Sequence, residues 1–258
     1  MIDIIVRETN RKAQQIYERE QVTNSAKSAS MHTFKTLTTS EFEAYLGILL
    51  LAGVMRSNYV HSTALWKTSS HPIFRATMSL QRFRSINRFI RFDDGRTREV
   101  RKEMDKSAAI SDIFAMLNRN LQACYVAGLH VTVDEQLYPY RGGTGFTQYI
   151  PSKPAKYGIK VWWACDAVTS YHIKGLYRVS TIWTKGRHQA AFTAFNIYKE
   201  NNLQNCQSTD YRRMFLRQWS EQLTMPEIQR RSENVQIMRH FGPRSGVESM
   251  FGGPLIAV

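Results

Sequence analysis

The hydrophobic pattern of this 258-residue chain changes its period once, near residue 126. Before that point apolar residues recur three or four positions apart, as at Tyr45 and Leu49, whereas Leu129, Val131 and Val133 alternate with polar residues. A period of about 3.6 is typical of helices that pack on a core, and a period of 2 is typical of strands. The sequence therefore predicts an α+β protein whose helices precede a sheet.

The periodicity divides the chain into four segments. We expect a helical N-terminal domain, a strand-containing core, a pair of C-terminal helices and a disordered tail, at residues 1–125, 126–200, 201–240 and 241–258. The tail is predicted to be disordered because its eighteen residues hold four glycines and two prolines and show no hydrophobic period.

Local signals place several helix boundaries. Ser40 and Glu43 have the spacing of a capping box and predict the start of a core helix. Ser79 predicts the start of a second helix, which we expect to run to about Phe92. Pro226 predicts a break between the C-terminal helices, because proline donates no backbone hydrogen bond.

Composition argues against several classes of protein. A hydrophobic content of 43% with 22% charged residues is ordinary for a globular domain. No apolar run approaches the roughly 20 residues that a membrane span needs, so we expect no membrane partner. The three cysteines, Cys124, Cys165 and Cys206, show no CxxC pairing, which argues against both a disulfide framework and a zinc finger.

Charge favours a polyanionic partner. The chain has 35 basic and 21 acidic residues and a formal charge of +14. Residues 136–200 carry nine basic and two acidic side chains, a local net charge of +7. Many stable proteins are basic, so total charge alone does not identify a nucleic-acid-binding protein, but this clustering is typical of one.

The clustered charge follows a strand that ends in acidic residues. The alternation through Val133 predicts that Asp134 lies on an exposed part of a sheet, although a lone carboxylate there is more often a cap or an ion-pair partner than a metal ligand. Downstream, Lys153, Lys156 and Lys160 are interleaved with tyrosines and prolines. Lysines can contact phosphates, and tyrosines such as Tyr149 and Tyr157 can stack on splayed bases.

An arginine stripe lies upstream. Arg84, Arg88 and Arg91 have the spacing of one helix face, opposite an apolar stripe that includes Ile86. The stripe fits a helix docked on a phosphate backbone, and it equally fits a solvated charged face. Downstream, Trp162 and Trp163 are adjacent in a predicted strand, so we expect one indole on each face of the sheet.

Motifs along most of the chain resemble the transposase domain of piggyBac elements. They are Asp134-Glu-Gln-Leu137, Tyr140-Arg-Gly142, Gln148–Lys160 and Cys165-Asp166, preceded in family order by Glu8-Thr-Asn10, Leu46–Leu49, Leu65-Trp66, Arg82-Phe83 and Arg91-Phe-Asp93. The resemblance runs to about residue 178 and resumes from roughly residue 192 to residue 231.

The resemblance implies an RNase H-like nuclease core in which three acidic residues hold two Mg²⁺ ions. Asp134 matches the first of these acids and is therefore the expected catalytic residue and metal ligand. Double-stranded DNA, at transposon ends or in chromatin, is the implied partner, with a dimerisation or DNA-binding role for residues 1–125, a homodimer and a nuclear location. The DNA-binding residues that we expect are Lys153, Lys156, Lys160, Tyr149, Tyr157, Arg141, Arg84, Arg88 and Arg91.

The chain also departs from the family pattern. After Asp134 its only aspartates are Asp166, which matches a non-catalytic family position, and Asp210, on a late helix. Residues 181–195 already resemble the region beyond the third acid, so we interpret the chain as internally deleted, with three strands of the core. We expect DNA binding without cleavage or strand transfer and without productive Mg²⁺ binding. The alternatives are a non-functional transposon remnant and a mis-spliced version of an active cut-and-paste transposase.

Overall fold

The computed structural model describes residues 1–23, 34–144, 146–151, 153–176 and 211–252. Its helices are α1 (Ile2–Thr23), α2 (Thr39–Val54), α3 (Ser62–Leu65), α4 (Ile73–Thr77), α5 (Leu80–Phe89), α6 (Arg98–Met104), α7 (Ser111–Ala123), α8 (Tyr211–Ser232), α9 (Val235–Met238) and α10 (Phe241–Phe251), with a 3₁₀ turn at Ser57–Tyr59. Its strands are β1 (Val131–Pro139), β2 (Gln148–Tyr149), β3 (Tyr157–Asp166) and β4 (His172–Leu176). The predicted α+β class is confirmed. None of the helices in these ranges is long and apolar enough to cross a membrane.

The described residues form two compact units. The helical unit combines residues 2–91 with residues 212–252, and the sheet unit begins at residue 92 and contains α6, α7 and all four strands. The division that we expected at residue 125 separates helices from strands, whereas these two units are defined by which elements pack together. The two divisions differ because α7 packs against β4 and because the C-terminal helices pack with the N-terminal ones.

Helix α2 is the core of the helical unit, as its apolar sequence predicts. Phe42, Tyr45 and Ile48 are at most 1% exposed. At Gly47 the helix lies against α8 so closely that a Cβ atom would stand 2.7 Å from the Thr224 side chain. Both ends of the chain therefore build this unit.

Two predicted boundaries in the helical unit are wrong. Thr38, not Ser40, caps α2, since its hydroxyl accepts the backbone N–H of Glu41 at 3.2 Å. Thr38 and Glu41 have the same three-residue spacing as the predicted pair, so the motif alone could not choose between them. Helix α5 stops at Phe89 because Ile90 adopts ψ 129°, outside the helical region.

The prediction of a break at Pro226 is also wrong, because α8 continues through it to Ser232. Around the proline, the Thr224 hydroxyl donates to the carbonyl oxygens of Ser220 and Glu221, 3.0 and 3.1 Å away. The buried Ile228 lies beyond the proline. Packing on both sides therefore keeps the chain helical across the missing backbone hydrogen bond.

Most of the predicted disordered tail is helical. Residues 241–251 form α10, and the buried Gly246 lies so close to α4 that an added Cβ would stand 2.9 Å from the Ala76 backbone nitrogen. Gly252 ends the helix with φ +81°, a conformation that glycine adopts easily. Tertiary packing thus outweighs the glycine-rich composition. Residues 253–258 and the part of the expected strand-containing core at 177–200 lie outside the described residues.

The sheet is antiparallel and is centred on β3. Strand β1 pairs along one edge of β3, from Val131 opposite Asp166 to Pro139 opposite Gly158. Strands β2 and β4 pair with β3 as well. The predicted strand that carries Trp162 and Trp163 is confirmed as β3, while β1 begins two residues after Leu129.

One sheet face packs against α7, and the other is partly exposed. The buried cluster consists of Phe114, Leu121, Tyr138, Phe146, Ile159, Val161, Trp163 and Tyr171. Trp163 is 3% exposed and its indole N–H donates to the Tyr138 hydroxyl at 2.9 Å, whereas Trp162 is 39% exposed. This confirms the prediction of one indole on each face. Val133 shares the exposed face and is 66% exposed, so the alternation in β1 does not mark a buried face within the described structure.

Candidate nucleic-acid interface

Asp134 lies in the middle of β1, opposite Trp163 in the register. Its side chain is exposed, and one carboxylate oxygen accepts the backbone N–H of Glu135 at 2.7 Å. Burial raises the pKa of the Cys165 thiol, and the negative charge of Asp134 raises it further. Asp134 therefore stands as an accessible carboxylate on the sheet, as the sequence predicts.

Asp166 has a structural role at the end of β3. Its carboxylate accepts backbone N–H groups from Gly128, Val168 and Thr169 at 2.7–2.9 Å, which closes the turn into β4. These hydrogen bonds, those from Thr169 and Gly128 first, lower the pKa of Asp166 to about 2. A carboxylate that is engaged in this way is a turn cap.

Two of the three predicted DNA-binding lysines converge on one glutamate. Lys153 Nζ lies 3.5 Å from one carboxylate oxygen of Glu135, and Lys160 forms an ion pair with the other. Lys160 Nζ also lies 4.5 Å from the centroid of the Trp162 ring. We call these four residues the Glu135 cluster. The hydrogen bond from Lys160 and the charges of both lysines hold the pKa of Glu135 below its usual range.

Lys156 and the two predicted tyrosines form a separate surface, the aromatic tip. Tyr149 and Tyr157 face each other across β2 and β3, 53% and 55% exposed, with ring centroids 4.6 Å apart. Lys156 is exposed and has no ion-pair partner among the described residues. The backbone N–H of Tyr140 donates to the Tyr157 carbonyl at 3.3 Å, which brings the exposed Arg141 to the same end of the sheet.

The predicted arginine stripe is shorter than expected. Arg84 and Arg88 are exposed on α5 and line an open depression of about 470 Å³ together with Leu80, Gln81 and Ser85. Arg91 lies beyond the end of the helix, is half-buried and donates to the carbonyl oxygen of Ile90 at 2.7 Å. Only the first two arginines therefore share the outer face of α5.

Glu135 is the functional candidate that the sequence analysis missed. It appeared only as a letter in the Asp134-Glu-Gln-Leu137 motif. The register of β1 against β3 would have revealed it. In this register Glu135 is opposite Trp162 and lies diagonal to Lys160 on the same face of the sheet. Placing the two strands side by side would have brought the carboxylate and the lysine together.

Comparison with known proteins identifies the family. A family model described as Transposase IS4 matches residues 1–220. Over 129 residues the chain is 28% identical to the human PiggyBac transposable element-derived protein 3. This chain belongs to the piggyBac-type transposases.

The curated relatives are much longer than the matched region. The match covers 49% of this piggyBac-type chain and 21% of the human protein. The human chimeric ERCC6-PGBD3 protein matches with the same identity over 12% of its length. The fold is similar to that in the cryo-EM structure of the piggyBac transposase synaptic complex with hairpin DNA, with a TM-score of 0.80 and 18% identity over 99% of this chain and 83% of that one.

The piggyBac-type family implies a pair of divalent cations, which the described residues do not fit. Two Mg²⁺ ions need several carboxylates, since one cannot offset their mutual repulsion and lost hydration. Asp134 is accessible, but Glu135 is bound to lysines and Asp166 to backbone N–H groups. No group of three potential metal-ligating side chains occurs within the described residues, and Asp210 lies outside them.

Proposed function

We propose that this chain is a piggyBac transposase-derived protein that binds double-stranded DNA and does not cleave it. The aromatic tip carries the proposal, because it combines exposed stacking rings with an exposed cation. Electrostatic contact with phosphates supplies most sequence-independent affinity for DNA. We therefore expect binding with little sequence preference.

The chemistry of the tip suits a nucleic acid better than a small anion. Lys156 and Arg141 offer charge to successive phosphates, while the exposed faces of Tyr149 and Tyr157 can stack on a base that leaves the helix. The piggyBac transposase whose fold is similar was solved in a complex with hairpin DNA, which supports DNA as the polyanion. Transposon ends and chromatin both present this polyanion.

The proposed lack of cleavage rests on the acidic residues in the described part of the chain. Strand cleavage by two metal ions needs carboxylates that converge on one site. We infer an RNase H-like core from the antiparallel strands β1, β3 and β4 and from the family, with Asp134 in the position of its first acid. A nuclear location and a homodimer belong to the same proposal.

Salt-dependent binding to double-stranded DNA tests this function. With about four to six phosphate contacts, the plot of log affinity against log salt concentration should have a slope of about −4 to −5. Changing Lys153, Lys156 and Lys160 together to alanine should flatten the slope by at least about one unit, for the exposed Lys156, and by up to roughly three units where all three lysines contact phosphates. The matched control changes Lys102, Lys106 and Lys174 to alanine, which removes equal charge from the same unit. Equal losses in both triple variants would contradict the assignment.

Cleavage is tested separately. We expect no nick or hairpin on a cognate transposon end with Mg²⁺ present. Cleavage that disappears in Asp134→Ala would overturn the proposal and favour an active transposase. Independently of cleavage, transcript sequencing across codons 178–185 tests the mis-spliced alternative, because it shows whether the coding region for the missing acids was skipped.

A further inference from the structure

The Glu135 cluster has a geometry that matches the recognition of an anion with two oxygens. The two lysine ammonium groups approach one carboxylate from separate positions, so that each carboxylate oxygen has its own cation. The Trp162 ring lies against Lys160 and limits where this ammonium can move. A phosphodiester also presents two non-bridging oxygens that share one negative charge.

We propose that Glu135 mimics a backbone phosphate and masks Lys153 and Lys160 from DNA. This inference rests on the proposed function. Of the three lysines predicted to bind DNA, it makes Lys153 and Lys160 masked and Lys156 accessible. DNA that reaches this face must displace the carboxylate before it can use the masked pair. Glu135 therefore lowers the affinity that the lysines would otherwise give.

The exposure of the cluster allows this exchange. The Glu135 side chain is 24% exposed, and those of Lys153 and Lys160 are 32% and 23% exposed. Ion pairs that water reaches are weak and screened by salt, so a phosphate can compete for them. The lysines also hold Glu135 ionised below the usual titration range of a glutamate, so substitution is a better probe than acidification.

The test is Glu135→Gln in the full chain, measured on double-stranded DNA over a range of salt concentrations. Glutamine keeps the size of the side chain and removes its charge. We expect affinity to rise about three- to ten-fold near physiological salt. The salt slope should steepen by up to about two units, one for each lysine released.

Two controls separate masking from a general charge effect. Glu99→Gln makes the same change at a side chain that is 80% exposed, 3.7 Å from Lys102, in the same unit, and should alter affinity less than two-fold. Adding Lys153→Ala and Lys160→Ala to Glu135→Gln should abolish the gain. Thermal unfolding of each variant shows whether the sheet unit remains folded.

The outcomes distinguish this inference from the proposed function. If Glu135→Gln weakens binding or leaves it unchanged while Lys156→Ala weakens it, DNA binding stands and masking is wrong. If neither the wild-type chain nor Glu135→Gln binds DNA, both proposals are wrong. If Glu135→Gln unfolds the chain, Glu135→Asp provides the test, since its shorter side chain keeps the charge and loosens the pairing, and unchanged affinity in this variant would overturn masking.

Discussion

The helical unit and the sheet unit bury their apolar residues in different ways. In the helical unit, helices from both ends of the chain surround α2, and the buried Glu41 makes two 2.7 Å hydrogen bonds with Arg82. In the sheet unit, α7 packs against one face, and the other face displays Val133 and the Glu135 cluster. Among the described residues, Asp134 is exposed on the same face as Trp163, whereas Glu135 and its two lysines lie on the face that α7 does not cover.

Adjacent tryptophans in β3 offer the most sensitive test of this difference. Trp163→Ala should cost about 3–5 kcal/mol, because it leaves a cavity beside Phe114 and removes the hydrogen bond to Tyr138. Trp162→Ala should cost under about 2 kcal/mol, because that ring is already partly solvated. Urea unfolding measures both free-energy changes, and hydrogen exchange at the β3 amides shows whether the loss lies in the sheet. Equal costs would mean that the two faces are equally covered.

Acid should destabilise the sheet unit through His172. Burial lowers the pKa of His172 to about 4, whereas the unfolded chain binds the proton near pH 6.5. The stabilising contribution of the neutral His172 is therefore fully present above pH 6.5. It is lost between pH 6.5 and pH 4, which lowers the free energy of unfolding by up to about 3 kcal/mol. Asp166 acts in a lower window, since its depressed pKa removes stability only as the pH falls from about 4 towards 2.

His172→Phe provides the matching variant, because it keeps a ring against Trp163 and cannot titrate. Hydrogen exchange of the β4 amides at pH 7 and pH 4.5 should show a smaller pH effect in the variant. In the helical unit, burial and Arg217 lower the pKa of His71, but this residue is only half-buried and should contribute less. The same pH dependence in wild type and His172→Phe would rule His172 out as the cause.

Close packing in the helical unit predicts an effect at Gly47. Gly47→Ala places a methyl group 2.7 Å from Thr224 and 3.0 Å from the Ser220 carbonyl oxygen, and it should cost about 1–3 kcal/mol. Gly242→Ala in α10 is the control, because nothing beyond its chain neighbours and its own helix backbone lies within 4 Å of the added Cβ. Chemical denaturation of both variants checks the pair. A neutral Gly47→Ala would show that α2 and α8 can separate at little cost.

Arg84 and Arg88 should have the smallest effect on stability. Their joint change to alanine should alter the free energy of unfolding by less than about 0.5 kcal/mol, since both side chains are exposed. If they contact DNA, the salt slope should flatten by up to about two units. An unchanged slope would identify this face of α5 as a solvated charged surface.

Sequence periodicity predicted the features that depend on neighbouring residues. The core helix α2, the strand β3 and the opposite faces of Trp162 and Trp163 follow from patterns within about ten residues. The continuation of α8 through Pro226 and the helix at 241–251 depend on contacts with distant parts of the chain, which no local pattern contains. The ion pair between Glu135 and Lys160 was not predicted for the same reason, because predicting it requires the register between β1 and β3.

The packing of α8 against Gly47 also bears on how the chain is synthesised. The sheet unit up to residue 176 is continuous in sequence, so a ribosome delivers its described elements in one stretch. The helical unit cannot be completed until roughly 120 further residues after residue 91 have been synthesised. At about 5–20 residues per second, this synthesis takes about 6–24 seconds. During that interval α2 lacks its partner helix. We therefore expect the face of α2 around Gly47 to stay uncovered in the nascent chain until translation reaches α8.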